Sequence, residues 1–233
     1  MSEVQPLRMV KSDSEREVRG HRRDGDVTRT HILEVAGQLF AERGFANTTS
    51  KQVCLQAKTN TAAVNYHFGS YQGLYMAVLQ EVHQRLLSLD YLNALADSAL
   101  PARDKLAQFV ESLIYDLLEN RSWHTRLWAR ELMTPSAYAV TAVQTYALPK
   151  FGVIHRLVAE VSGLALDSPA LQRCVLSVMA PCMVLLVVSH ELDTPLKPIL
   201  QQPTAVLVEH IKIFMFAGLD ALSHHQSTPK VAR

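Results

Sequence analysis

The stretch RGFANTTSKQVCLQAKTNTAAVNYHF, Arg43 to Phe68, decides how this chain is read. Gly44 stands where a helix ends with a left-handed residue. Thr49 or Ser50 can cap a short helix that buries Val53 and Ala57, and Asn60 can cap a second, its side chain accepting from the amide of Ala62 or Ala63. The pattern predicts two short helices joined by a tight turn and ending in a polar and aromatic tip. No Asp or Glu occurs from Arg43 through Gln80, whereas Arg43, Lys51 and Lys58 are basic. A helix-turn-helix without acids presents a surface that can approach a polyanion.

Upstream, Ile32, Leu33, Ala36, Leu39 and Phe40 fall on one helical face, which predicts a first helix from Thr28 to Arg43. Residues 1–27 are polar without periodicity and read as a flexible arm. Arg16, Arg19, Arg22 and Arg23 interleave there with Glu15, Glu17, Asp24 and Asp26, which favours a solvated tail over an arm that touches phosphates. Downstream, Gly69 ends the tip helix and Ser70 caps the next. Leu74, Val78, Val82 and Leu86 recur every fourth residue and predict a long connecting helix.

The pattern stays helical to the end, with no alternating strand signal and no repeat. Pro101 starts a helix to about Asn120, and Ser122–Met133 forms another. Ser136–Ser162 is predicted as one helix kinked or divided at Pro149. Ser168 and Pro169 open a helix to about residue 190, Asp193–Pro203 is a loop, and the last helix covers Thr204–Ser223. The fold class is therefore all-α. The expected organisation is an arm (1–27), a helix-turn-helix head (28–73), a larger helical body (74–223) and a tail (224–233).

Composition agrees with a globular chain: 233 residues, 48% hydrophobic and 19% charged. Residues 1–70 carry 10 Lys+Arg against 8 Asp+Glu, and six of those acids precede Thr28. The basic excess is thus local to the head. Cys54, Cys174 and Cys182 make no disulfide framework, which fits a reducing cytoplasm. The run Cys174–Val188 is short for a bilayer span and holds Pro181, so it reads as a buried helix, and no membrane is expected.

On the tip helix, Val64 and Phe68 point inward. Ala62 and Tyr66 then point outward, flanked by Ala63 and Asn65, with Thr61 and His67 at the shoulders. Two turns, about 10 Å, suit a major groove. Asn pairs with adenine and Ala meets a thymine methyl. Tyr66 and His67 can bond phosphates, and Thr48, Thr49 and Ser50 bring hydroxyls and helix-start amides to the backbone. Double-stranded DNA is the expected partner.

The segment ILEVAGQLFAERGFANTTSKQVCLQAKTNTAAVNYHFGSYQGLY resembles the DNA-binding head of TetR-family regulators, most specifically in AAVNYHFGS followed by GLY. RLWARELMTPSAY, Arg126–Tyr138, is similar to a segment of the CecR-like branch. The resemblance implies a homodimeric repressor whose head binds one half of an inverted-repeat operator and whose body holds the dimer interface and an effector pocket. It implies DNA contacts at Thr49, Thr61, Ala63, Asn65, Tyr66 and His67. Two positions depart from the family pattern. Lys58 stands where the turn usually has Gly, and Tyr71 stands where a Lys commonly binds phosphate. Tyr71 keeps a donor and loses the charge, which predicts a shallower salt dependence than in a relative with Lys there.

In the body, the helices near 169–190 and 204–223 are apolar nearly all round, so a homodimer through the last two helices is expected. Tyr115, Trp123, Trp128, Arg130, Tyr138 and Tyr146 are the candidate pocket lining for a small amphiphilic or aromatic effector. Met133 and Met179 read as core, and Arg130 with Glu131 as a pair. Catalytic motifs are absent: no HExxH, no GxSxG and no phosphate-cradling glycine loop. No metal and no cofactor are expected; His224 and His225 have no third ligand nearby in sequence. The rival readings are a helical protein-binding adaptor and a thiol-based redox sensor acting through Cys174 and Cys182.

Overall fold

The computed structural model describes residues 13–120, 122–188, 195 and 197–227, without the side chains of 13–24 and 224–227. The helices are α1 (Asp13–Arg43), α2 (Ser50–Gln56), α3 (Thr61–Phe68), α4 (Tyr71–Arg85), α5 (Leu89–Asp97), α6 (Ala102–Leu118), α7 (Trp123–Met133), α8 (Ala139–Ala142), α9 (Leu148–Ser162), α10 (Pro169–Val187), α11 (Lys197–Leu200) and α12 (Thr204–Ser227). No strand occurs among the described residues.

Three boundaries differ from expectation. The first helix begins at Asp13 and not at Thr28, so residues 13–27 are helical where a flexible arm was predicted. No proline stands between Pro6 and Pro101 to stop the helix. Residues 1–12 and the side chains of Arg16, Arg19, Arg22 and Arg23 lie outside the described residues. The long connecting helix stops at Arg85: Leu86 leaves the helical region and Leu87 takes a φ of 98°. That break separates α5, which carries its own cap in Ser88 Oγ, accepting from the Tyr91 amide at 3.0 Å. The predicted loop Asp193–Pro203 holds the short helix α11 (Lys197–Leu200). The division expected at Pro149 is realised as α8, a π-helical turn at Val143–Ala147 and α9. Proline lacks the amide and crowds the preceding turn, and a widened turn before it accommodates both.

Two cores result. One gathers Ile32, Leu39 and Phe40 of α1, Val53, Val64, and Leu74, Tyr75, Val78 and Val82 of α4. Trp123 and Leu127 of α7 enter this same core. The other lies among α5, α6, α9, α10 and α12, around Leu106, Phe109, Ile114, Leu157, Val175 and Cys182. A bidentate Arg103–Asp220 pair, at 2.7 and 2.9 Å, ties α6 to α12.

Candidate nucleic-acid interface

Local capping builds the helix-turn-helix. Thr49 and Gln52 form a reciprocal capping box at the start of α2: the Thr49 amide donates to Gln52 Oε1 at 2.8 Å, and the Gln52 amide donates to Thr49 Oγ1. Asn60 Oδ1 accepts from the Ala63 amide at 2.9 Å and starts α3. Gly69, with a φ of 76°, ends it. Ser70 Oγ then accepts from the Gly73 amide at 2.9 Å to start α4. Gly73 has no room for a side chain, since a Cβ there would lie 2.0 Å from the Phe68 carbonyl oxygen. In the turn between α2 and α3, Lys58 adopts a φ of 50°, the left-handed conformation that glycine usually supplies.

The tip helix presents the expected face. Val64 is fully buried and Phe68 packs against the same core. Thr61, Ala62, Asn65 and Tyr66 are exposed, Tyr66 at 81%. Ala63 and His67 are half-buried, and the Tyr66 and His67 rings meet edge to face at 5.0 Å. Thr49 and Asn60 are exposed while they cap.

Thr48 and Tyr71 face inward. Thr48 is 4% exposed, and its hydroxyl donates to the Gly44 carbonyl at 2.9 Å. Tyr71 donates its hydroxyl to the Thr48 carbonyl at 2.6 Å and stacks on Phe45 at 5.3 Å. Burial pushes its phenol up to about 12. The phenol proton is thus committed to a protein carbonyl, and Tyr71 braces the α1–α2 corner. Ser50 is half-buried, with its Oγ enclosed and unpaired.

The aromatic residues expected to line an effector pocket are dispersed, most of them at the joint between the two cores. Trp123 fills a slot over α1, where a Cβ on Gly37 would come within 2.5 Å of its ring. Tyr138 packs on Phe45 and Tyr75, at 5.0 and 5.8 Å. Trp128 and Tyr146 close on His83 from two sides, at 4.4 and 5.7 Å. Tyr115 packs against the body core. Met133, expected in the core, is 71% exposed, because α7 ends there. Met179 is half-buried against the body core, in line with its reading.

Arg130 and Glu131 are not a pair. Arg130 donates through Nε to the Ala41 carbonyl at 3.2 Å and through Nη2 to the Glu42 carbonyl at 2.8 Å, a cation placed at the C-terminus of α1. Glu131, buried, accepts from the Tyr75 hydroxyl at 2.6 Å and from the Ser136 hydroxyl at 2.7 Å. Burial and the Glu131 carboxylate hold the Tyr75 phenol far above its ordinary range. Consecutive residues of α7 thus hold α1 and α4. At the far end of α4, the buried Lys150 of α9 donates to the His83 carbonyl. Burial pushes the Lys150 ammonium down to about 8; burial first, and then the Lys150 charge, push the His83 imidazole down to about 4. No group of three or more His, Cys, Asp or Glu able to hold a metal occurs among the described residues, and His224 and His225 fall outside their side-chain description.

Comparison with known proteins agrees with this architecture. Residues 32–78 match the family of bacterial regulatory proteins, tetR family, and residues 102–219 match the C-terminal domain of the HTH-type transcriptional dual regulator CecR. The chain is similar to the HTH-type transcriptional repressor NicS of Pseudomonas putida, 34% identical over 58 residues, which are 25% of this chain and 27% of that protein. It is also similar to the probable HTH-type transcriptional regulator YttP of Bacillus subtilis, 24% identical over 136 residues, 57% of this chain and 64% of that one. The matched region spans less than two thirds of either relative. In fold it is similar to a TetR-like regulator from Rhodococcus sp. RHA1, with a TM-score of 0.63 at 14% identity over 83% of this chain and 96% of the other. The transcriptional regulator FadR from Bacillus subtilis, solved in complex with stearoyl-CoA, gives a TM-score of 0.63 at 12% identity over 81% of this chain and 98% of the other. With one family match on the head and a second spanning half of the chain, the protein belongs to the TetR family of transcriptional regulators, in the group with a CecR-type C-terminal domain.

Proposed function

We propose that this chain is a ligand-responsive, DNA-binding repressor that acts as a homodimer on an inverted-repeat operator. The observation that carries the reading is the face of α3: Tyr66 stands 81% exposed beside exposed Thr61, Ala62 and Asn65, in a window without a single acid. Asn65 reads a base edge, Ala62 and Ala63 meet thymine methyls, and Tyr66, His67 and Thr49 bond phosphates. Gel-shift on the DNA upstream of its own gene tests this: wild type is expected to bind, and Tyr66→Ala to bind more weakly at matched salt. Equal binding by the variant sinks the site, and no binding by either favours the adaptor.

The dimer reading is favoured by the outward apolar side chains of α10 and α12. Leu176, Ile213 and Phe214 are 67%, 62% and 75% exposed. By length and composition α10 is also apolar enough to cross a membrane, but Arg173 and Pro181 inside it suit a covered protein face better. Effector control would run through α4, tied at Tyr75 to α7 and at His83 to α9, so that a shift in the body changes the spacing of two heads on successive major grooves. The redox alternative is disfavoured, because burial raises both the Cys174 and Cys182 thiols, Cys182 to about 12, which leaves little thiolate.

A further inference from the structure

A cavity of about 540 Å³ opens between α7 and the C-terminal end of α10, against the end of α1. Its walls include Leu117, Ala129, Met133 and Leu185, aliphatic or thioether, beside Thr125 and Thr134, and no aromatic residue lines it among the described residues. Two guanidinium groups, those of Arg126 and Arg130, lie on its rim, and no carboxylate lines it among the described residues. The two arginines are one helical turn apart on α7, a like-charge spacing that is unfavourable by itself.

Arg85, Arg103 and Lys212, by contrast, each face a carboxylate. Arg126 is exposed and makes no ion pair among the described residues. Arg130 spends Nε and Nη2 on the carbonyls of Ala41 and Glu42, which leaves Nη1 to donate. Mostly aliphatic walls meeting two guanidinium groups that face no carboxylate among the described residues form a site in which one end takes a charge and the other a hydrocarbon.

The geometry points to this cavity as the binding site of an amphiphilic monoanion, a carboxylate on an aliphatic body, held by Arg126 and Arg130 of α7. The inference rests on the reading of the chain as a ligand-responsive regulator and replaces the aromatic pocket with an aliphatic, cationic one. Because Arg130 also caps α1, an anion bound there acts directly on the helix that carries the head.

Titration calorimetry on the full chain without DNA tests it, with decanoate and decan-1-ol as probes below their self-association concentrations. Decanoate is expected to bind at least about tenfold more tightly than the alcohol, the increment of a charge-assisted hydrogen bond. Arg126→Gln, at an exposed position and checked for an unchanged melt, is expected to bring the two probes within about twofold. Absence of decanoate binding, equal binding of both probes by wild type, or an unchanged preference in Arg126→Gln overturns the proposal. Since no DNA is present, such a failure leaves the reading of the head standing, and a failed gel-shift leaves this result standing.

Discussion

The head and the body bury apolar surface in opposite ways. In the head, Phe40, Phe45, Tyr71, Tyr75 and Tyr138 cover one another, with ring centroids 4.5–6.0 Å apart, and what remains outside on α3 is small or polar. In the body, α12 turns Val206, Ile213, Phe214 and Leu222 outward. A self-covered core with a polar, acid-free tip suits a wet and charged partner. An uncovered apolar face gains about 25 cal/mol per Å² when a second such surface removes it from water. On the proposed function, one chain carries two interfaces of contrary chemistry, and the joint at α4 and α7 lies between them.

The largest effect is expected from Phe214→Glu. A charge at the centre of the proposed dimer face should weaken association by on the order of 4 kcal/mol. The melt of the protomer should stay nearly unchanged, since the side chain is exposed. A sedimentation profile identical to wild type would erase the contrast between the two faces.

Next comes the joint. His83 titrates at about 4 in the folded chain against 6.5 unfolded, held down by burial and then by Lys150. Between those values the unfolded chain binds more protons, so this contribution is present above pH 6.5 and is lost as pH falls toward 4. The loss should reach on the order of 3 kcal/mol. Urea unfolding across that range should show it in wild type and not in His83→Gln.

At the head, Tyr66→Ala should cost about 2 kcal/mol of operator affinity and none of the thermal stability. Loss of fold instead would show that the tip is core and not surface. The smallest change is expected for Lys58→Gly. Removing a side chain from the left-handed region relieves strain, the flexible unfolded chain gives part of it back, and a net gain of about 0.5 kcal/mol remains. Chemical denaturation that shows a loss at this position would mean that the Lys58 side chain itself holds the turn.

Much of the head was legible because its signals are local. Thr49, Asn60 and Ser70 cap within three residues of themselves, and Gly69 ends α3 where glycine should. The Thr49–Gln52 capping box was written in its three-residue spacing, though only the cap residue was read from it. The inward partner of Tyr71 was not legible, because the Thr48 carbonyl lies twenty-three residues earlier in the chain. Arg130 and Glu131 looked like a pair by adjacency. Neighbours on a helix point in different directions, so one reached α1 and the other α4. The break at Leu86–Leu87 left no mark in the apolar period, since Leu86 continues it.

By itself, then, the sequence determined the all-helical class, the capped helix-turn-helix, its acid-free tip and the apolar character of α10 and α12. Each of these rests on periodicity or on hydrogen bonds spanning a few residues. Only the tertiary structure decided that Trp123 packs over Gly37 of α1 and Tyr138 against Phe45 and Tyr75. It alone decided that Arg126 and Arg130 border one cavity together with Leu117, Ala129 and Leu185. Those outcomes depend on which distant surface each side chain meets, and side chains of equal local propensity are separated only by the packing of the whole chain.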